Sequence, residues 1–135
     1  VTPASGYIGV PGGLILGFFG GLLCYLAVDY IRGKLQIDDS LDVFAVHGVG
    51  GMIGTVLCAW LMQSQLGGVG LDDSKSVMDH LRIQGYGVFV TGLWTIVMTF
   101  LILKIISVFS DLRVTEDEEL EGLDTSLHGE SGYNN

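Results

Sequence analysis

Apolar and polar positions fall into three long apolar blocks separated by short charged ones. The first block covers residues 7–30 and carries no charge before Asp29. The second covers residues 41–63, and no Lys, Arg, Asp or Glu follows Asp42 until Asp72. The third covers residues 83–106 and closes at Lys104. Each is long enough for the roughly 20 apolar residues that cross a bilayer as a helix. The pattern predicts an all-α membrane protein with three transmembrane helices and a polar tail over residues 107–135. Residues 1–6 read as an interior loop, so the chain is expected to be a piece of something longer. Residues 31–40 form a short charged loop. Residues 64–82 form a longer one, with Gly67-Gly68-Val69-Gly70 as a turn and Asp72-Asp73-Ser74 as the cap of a short helix.

Local signals sharpen the helix ends. Pro11 suits a first helical turn, where its missing N–H leaves no intrahelical bond unmade. Asp38-Asp39-Ser40 supplies an N-cap for the second span, with Asp39 and Asp42 placed to favour its positive end. Gly9, Gly13, Gly17 and Gly21 recur every four residues. On a helix they form one narrow stripe, and Gly13, Gly17 and Gly21 are expected to admit a close helix neighbour.

Composition agrees with a membrane setting. Charged residues make up 16% of the chain, against about 25% in a soluble domain. The net charge of -9 is concentrated at one end. Seven acids and no Lys or Arg lie beyond residue 114, whereas residues 1–113 hold eight acids and six bases. A chain so poor in bases is not a nucleic-acid binder. Arg32, Lys34, Lys104 and Arg113 share one side of a three-span topology, and Lys75 and Arg82 the other. The positive-inside rule then puts loop 31–40 and the tail in the cytoplasm, and loop 64–82 outside. Cys24 and Cys58 read as small buried hydrophobes. His80 and His128 are far from His47 in sequence, so no metal site or other cofactor is expected.

His47 is the outstanding residue. An imidazole within so apolar a run is expected to be buried, and burial disfavours its charged form. A neutral imidazole offers one donor and one acceptor nitrogen. Helical spacing puts Gly51 and Gly54 on its face, with Val43 and Phe44 one turn earlier. Two readings stand side by side: a structural histidine bonded to a partner helix, or a residue lining a passage, the default for an ionisable group inside a membrane. Val43 and Gly51 are candidate pore wall. Phe44 is a candidate for either pore or core.

Asp38-Asp39-Ser40-Leu41-Asp42-Val43-Phe44-Ala45-Val46-His47-Gly48 resembles the D-D-x-x-D-V-F-x-V-H-G segment of ammonium transporters of the Amt/Mep family. Val1-Thr2-Pro3-Ala4-Ser5-Gly6 is similar to the family's V-T-P-A-x-G loop, and Leu66-Gly67-Gly68-Val69-Gly70 to its external loop. Gly122-Leu123-Asp124, His128-Gly129-Glu130 and Tyr133 resemble its C-terminal tail. The four motifs occur in family order across the whole chain.

The resemblance implies the last three helices of an eleven-helix, homotrimeric cell-membrane transporter with a cytoplasmic C-terminus. It implies that His47 is one of a pair of pore histidines, that ammonium is deprotonated at the outer end, and that ammonia passes the apolar pore. It also implies a regulatory tail, with Gly122, Leu123, Asp124, Thr125, Ser126, His128, Gly129 and Tyr133 as its residues and a cytoplasmic PII-type protein as a candidate regulator. Leu120, Leu123 and Leu127, spaced by three and four, are expected to give that tail one apolar docking edge. The alternatives are a truncated, non-transporting membrane subunit and a Rhesus-type gas channel. None of these readings is enzymatic.

Overall fold

The computed structural model describes residues 2–72 and 74–132. Among these every regular element is helical and none is a strand. In chain order they are α1 (Val10–Val28), α2 (Gly50–Leu61), α3 (Val77–Ile106), α4 (Glu116–Glu121) and α5 (Leu123–His128). Single 3-10 turns lie at Thr2–Ala4 and Ser64–Leu66. Two wide π-helical turns complete the set: Asp29–Lys34 prolongs α1, and Phe44–Val49 leads into α2. With these turns, three helices are long and apolar enough to cross a membrane: Val10–Lys34, Phe44–Leu61 and Val77–Ile106. The chain divides into two units, residues 1–92 and 93–135.

The first helix starts at Val10, three residues later than the apolar pattern suggests. The preceding backbone is already committed elsewhere. Ser5 N–H donates to Thr2 O (2.9 Å), Tyr7 N–H to Ala4 O (3.1 Å), and Tyr7 O accepts from Val69 N–H (3.0 Å). Gly9 and Gly67 touch so closely that a side-chain carbon on Gly9 would overlap the Gly67 carbonyl. Gly67 itself adopts φ 73°, which glycine reaches without strain. Loop 64–70 is thereby fastened to the entrance of α1.

α1 and α2 pack antiparallel, Gly12 meeting Leu61 at one end and Cys24 meeting Gly50 at the other. An added carbon on Gly12 would lie 3.2 Å from Leu61 O, and one on Gly50 would lie 3.0 Å from Cys24 Sγ. Ala4, Leu16, Cys58 and Leu61 form the core, flanked by Ile8, Ile15, Ile53, Leu57, Met62 and Leu66. The face of α1 that packs is therefore Gly12–Leu16–Gly20, all three buried. The expected stripe, Gly13, Gly17 and Gly21, is rotated one residue away and is exposed. The four-residue period is present on both stripes, and spacing alone does not say which one faces α2.

α3 begins at Val77, six residues before the expected start. Ser76 and Asp79 form a capping box: Ser76 N–H and hydroxyl donate to Asp79 Oδ2 (3.1 and 2.7 Å), and Asp79 N–H donates to Ser76 Oγ (3.2 Å). That pair converts the polar stretch before residue 83 into helix. Asp72 caps a turn instead of the expected short helix, accepting from Ser74 N–H at 3.1 Å and from its hydroxyl at 2.8 Å. No described residue of α3 is buried, although the helix is apolar around its circumference. Such a surface is suited to lipid or to other membrane helices.

In the second unit, Thr115 caps α4 with Glu118 in a full capping box. Gly122, at φ 95°, separates α4 from α5. The expected single edge of Leu120, Leu123 and Leu127 is thus broken. Leu123 and Leu127 share α5, while Leu120 belongs to α4 and is 86% exposed. The spacing argument presumes one uninterrupted helix, and Gly122 interrupts it.

Candidate functional site

The second span is launched by one carboxylate. Asp39 Oδ1 accepts from Val43 N–H at 2.8 Å, and Oδ2 accepts from Phe44 N–H at 2.9 Å and Ala45 N–H at 3.4 Å. These donors have no intrahelical partner at a helix start. Asp42 reaches back instead. Its carboxylate meets Arg32 of the α1 extension at 3.4 Å, with the two side chains 27% and 54% exposed. In water such a pair contributes at most about 1 kcal/mol, so its clearer role is to fix where the loop re-enters the helix. Asp42 sits at φ 53°.

His47 lies in the π turn and is exposed among the described residues. The expected burial does not occur within this chain. Ala45, not His47, is the fully buried residue of the turn. Val43 and Phe44 are 52% and 57% exposed on the same stretch. The Phe44 ring folds over Gly48, where an added side-chain carbon would lie 3.0 Å from Phe44 Cδ2. A side-chain carbon added to Gly51 would meet nothing within 4 Å, whereas Gly54 is buried. The expected His47–Gly51–Gly54 face is therefore split: within α2 it is Gly54, not Gly51, that shares the buried face with Gly50 and Cys58. His47, Val43 and Phe44 are each exposed in this apolar stretch, and Gly51 is partly exposed.

Of the other histidines, His80 lines a cleft of about 360 Å³ with Pro3, Tyr7, Cys58, Met62 and Gln84. That cleft is at the opposite end of α2. Its Nε2 is buried and meets no hydrogen-bond partner among the described residues. No group of three or more His, Cys, Asp or Glu among the described residues could hold a metal ion.

The tail residues are arranged locally. Ser126 hydroxyl donates to Gly122 O at 3.0 Å and is half-buried, while Thr125 is exposed. Gly129 closes α5 at φ 61°, with Glu130 N–H donating to Asp124 O at 2.9 Å. Leu123, Asp124 and His128 lie on α5. Tyr133 lies outside the described residues.

Three residues make contacts here that the sequence pattern did not assign to them. Gly48 is legible as the i+4 partner of Phe44. Arg32 is legible only as a cation near an acid-rich loop. Cys24, whose thiol donates to Val46 O at 3.8 Å, carries no sequence signal of that contact.

The model of the Ammonium Transporter Family matches residues 1–133. The chain belongs to the ammonium transporter family. Among its relatives are an ammonium transporter of Aquifex aeolicus, 39% identical over 99% of this chain and 31% of that protein, and one of Bacillus subtilis, 33% identical over 98% of this chain and 33% of that protein. The ammonium transporter Amt1 of Archaeoglobus fulgidus is 37% identical, with 98% of this chain and 34% of that protein covered. The chain spans about a third of the length of these curated relatives. The three membrane-length helices and the His47 turn all lie inside the region that matches the family.

Proposed function

We propose that this chain is part of a membrane ammonium transporter and that His47 lines the path of the substrate. The observation that carries the reading is the exposure of His47 within an apolar stretch whose Val43 and Phe44 are also exposed, in a chain of this family. An apolar path excludes a bare cation: even one charged side chain at a bilayer centre costs about 2.5–3.5 kcal/mol on insertion scales. Ammonium can shed that charge by giving up a proton, and potassium cannot. Ammonia then passes an imidazole that accepts or donates a hydrogen bond in place of water. A second imidazole, supplied by a part of the protein outside this sequence, completes a pair that holds the molecule and relays the proton.

In the same reading the Arg32–Lys34 end and the tail face the cytoplasm, following the bias of basic residues. The molecule works as a homotrimer in the cell membrane. The tail regulates it by docking, through its own contacts or through a PII-type protein. Gly13, Gly17 and Gly21, open in this chain, serve contacts with other helices of the assembly.

The test uses the full-length protein in a cell lacking ammonium transport. His47→Ala is expected to lower ammonium uptake or to admit potassium. Wild-type rate together with wild-type exclusion of potassium and methylated analogues would remove His47 from the mechanism.

A further inference from the structure

The buried positions of α2 are Gly50, Gly54, Cys58, Ala59 and Leu61. Gly50, Gly54, Cys58 and Leu61 step by four, four and three, the signature of one α-helical face. Continued backwards by the same rule, that face next takes the residues three and four before Gly50, which are His47 and Val46. An uninterrupted α-helix would therefore turn His47 toward α1. The observed pattern is different. Ala45 is 0% exposed, Val46 is 44% exposed and His47 is exposed. The buried position below Gly50 lies five residues back, in keeping with the extra residue that the i→i+5 hydrogen bonding of a π turn accommodates.

We infer that the wide turn Phe44–Val49 is the positioning element of His47. Its extra residue carries Ala45 onto the α1-packed face and swings the imidazole off it. Three contacts hold the turn in that register. Asp39 fixes its first N–H groups, those of Phe44 and Ala45. The Phe44 ring lies on Gly48, the residue next to His47, where no larger side chain fits without displacing the ring. Cys24 Sγ, on α1, reaches the Val46 carbonyl and abuts Gly50. The turn packs against α1 along this line. The inference rests on the proposed role of His47 for its importance, but its geometry stands or falls separately.

The test is chemical access in the full-length protein with its native cysteines replaced, by Cys24→Ser and Cys58→Ala in this part of the chain. On that background Ala45→Cys and His47→Cys are made singly, and a small cationic methanethiosulfonate reagent is applied. The His47→Cys thiol is expected to react at least tenfold faster than the Ala45→Cys thiol; a smaller ratio, or the reverse order, overturns the wide turn. Deleting Val46 restores an α-helical count while leaving Ala45 on the packed face. The thiol of the His47→Cys variant is then expected to lose at least tenfold in reactivity, and unchanged reactivity overturns the positioning role. A second pair reads the same geometry through folding. Ala45→Leu is expected to lower the melting temperature and Val46→Leu to leave it within a degree or two; equal or opposite effects overturn the proposal. Should the access pattern hold while His47→Ala transports normally, the geometry survives and the proposed role of His47 fails.

Discussion

Removing the Asp39 carboxylate tests how the second span begins. In the structure its two oxygens are used separately, Oδ1 by Val43 N–H and Oδ2 by Phe44 and Ala45 N–H. Asp39→Ala loses both. A lost N-cap costs about 0.5–2 kcal/mol, and a lost anion at the positive helix end a further 0.3–1 kcal/mol or so at exposed sites. The two together give about 1–3 kcal/mol in local opening. Asp39→Asn keeps one acceptor oxygen and loses the charge, so it should fall midway. At about 1.4 kcal/mol per factor of ten, amide exchange at Val43 and Phe44 should speed up roughly 5- to 150-fold in the Ala variant. The Asn variant should show the smaller rise. Hydrogen exchange on a peptide covering residues 41–48 of the full-length protein reads this directly, with a peptide of α3 as internal control. Exchange in Asp39→Ala within twofold of wild type would refute the capping argument. An Asn variant as fast as the Ala variant would refute the assignment of separate bonds to the two oxygens.

Other outcomes follow from the same structure. Gly12→Val places side-chain atoms against the Leu61 backbone 3.2 Å away; overpacking of this kind costs about 1–3 kcal/mol, and an unchanged thermal midpoint in detergent would show that α1 and α2 do not meet there. Glu118 is held below its ordinary value of 4.5 first by the Thr115 N–H and then by the Thr115 hydroxyl, both donating to its carboxylate. Because the folded value is the lower one, its contribution to α4 is complete above 4.5 and vanishes as pH falls through the depressed value. Carboxyl NMR should find that midpoint below 4.5, and Thr115→Val should move it upward; identical midpoints would exclude the capping box as the cause. Thr125 is exposed whereas Ser126 spends its hydroxyl on Gly122 O. Added negative charge at Thr125, beside existing acids, should loosen tail docking, so Thr125→Glu should reduce ammonium uptake by the full-length protein, and undiminished uptake would count against a docking tail.

The sequence by itself determined the class of structure and named the candidates for the site. Three apolar blocks of membrane length are a one-dimensional property, because each helix satisfies its own backbone in lipid. Asp39 and His47 are recognisable for similar reasons, since capping chemistry and an isolated imidazole are read along the chain. The tertiary structure decided which face of each helix is used. Gly12–Leu16–Gly20 and Gly13–Gly17–Gly21 have the same period, and only the approach of Leu61 to Gly12 and Leu16 selects the first. The orientation of His47 is also beyond sequence periodicity. It depends on one extra residue in the turn Phe44–Val49, stabilised by Asp39 from the loop and Cys24 from α1. A π turn exchanges one backbone bonding pattern for another at small cost, and tertiary contacts make the choice. The Cys24–Val46 contact spans 22 positions, a range at which no helical repeat carries information.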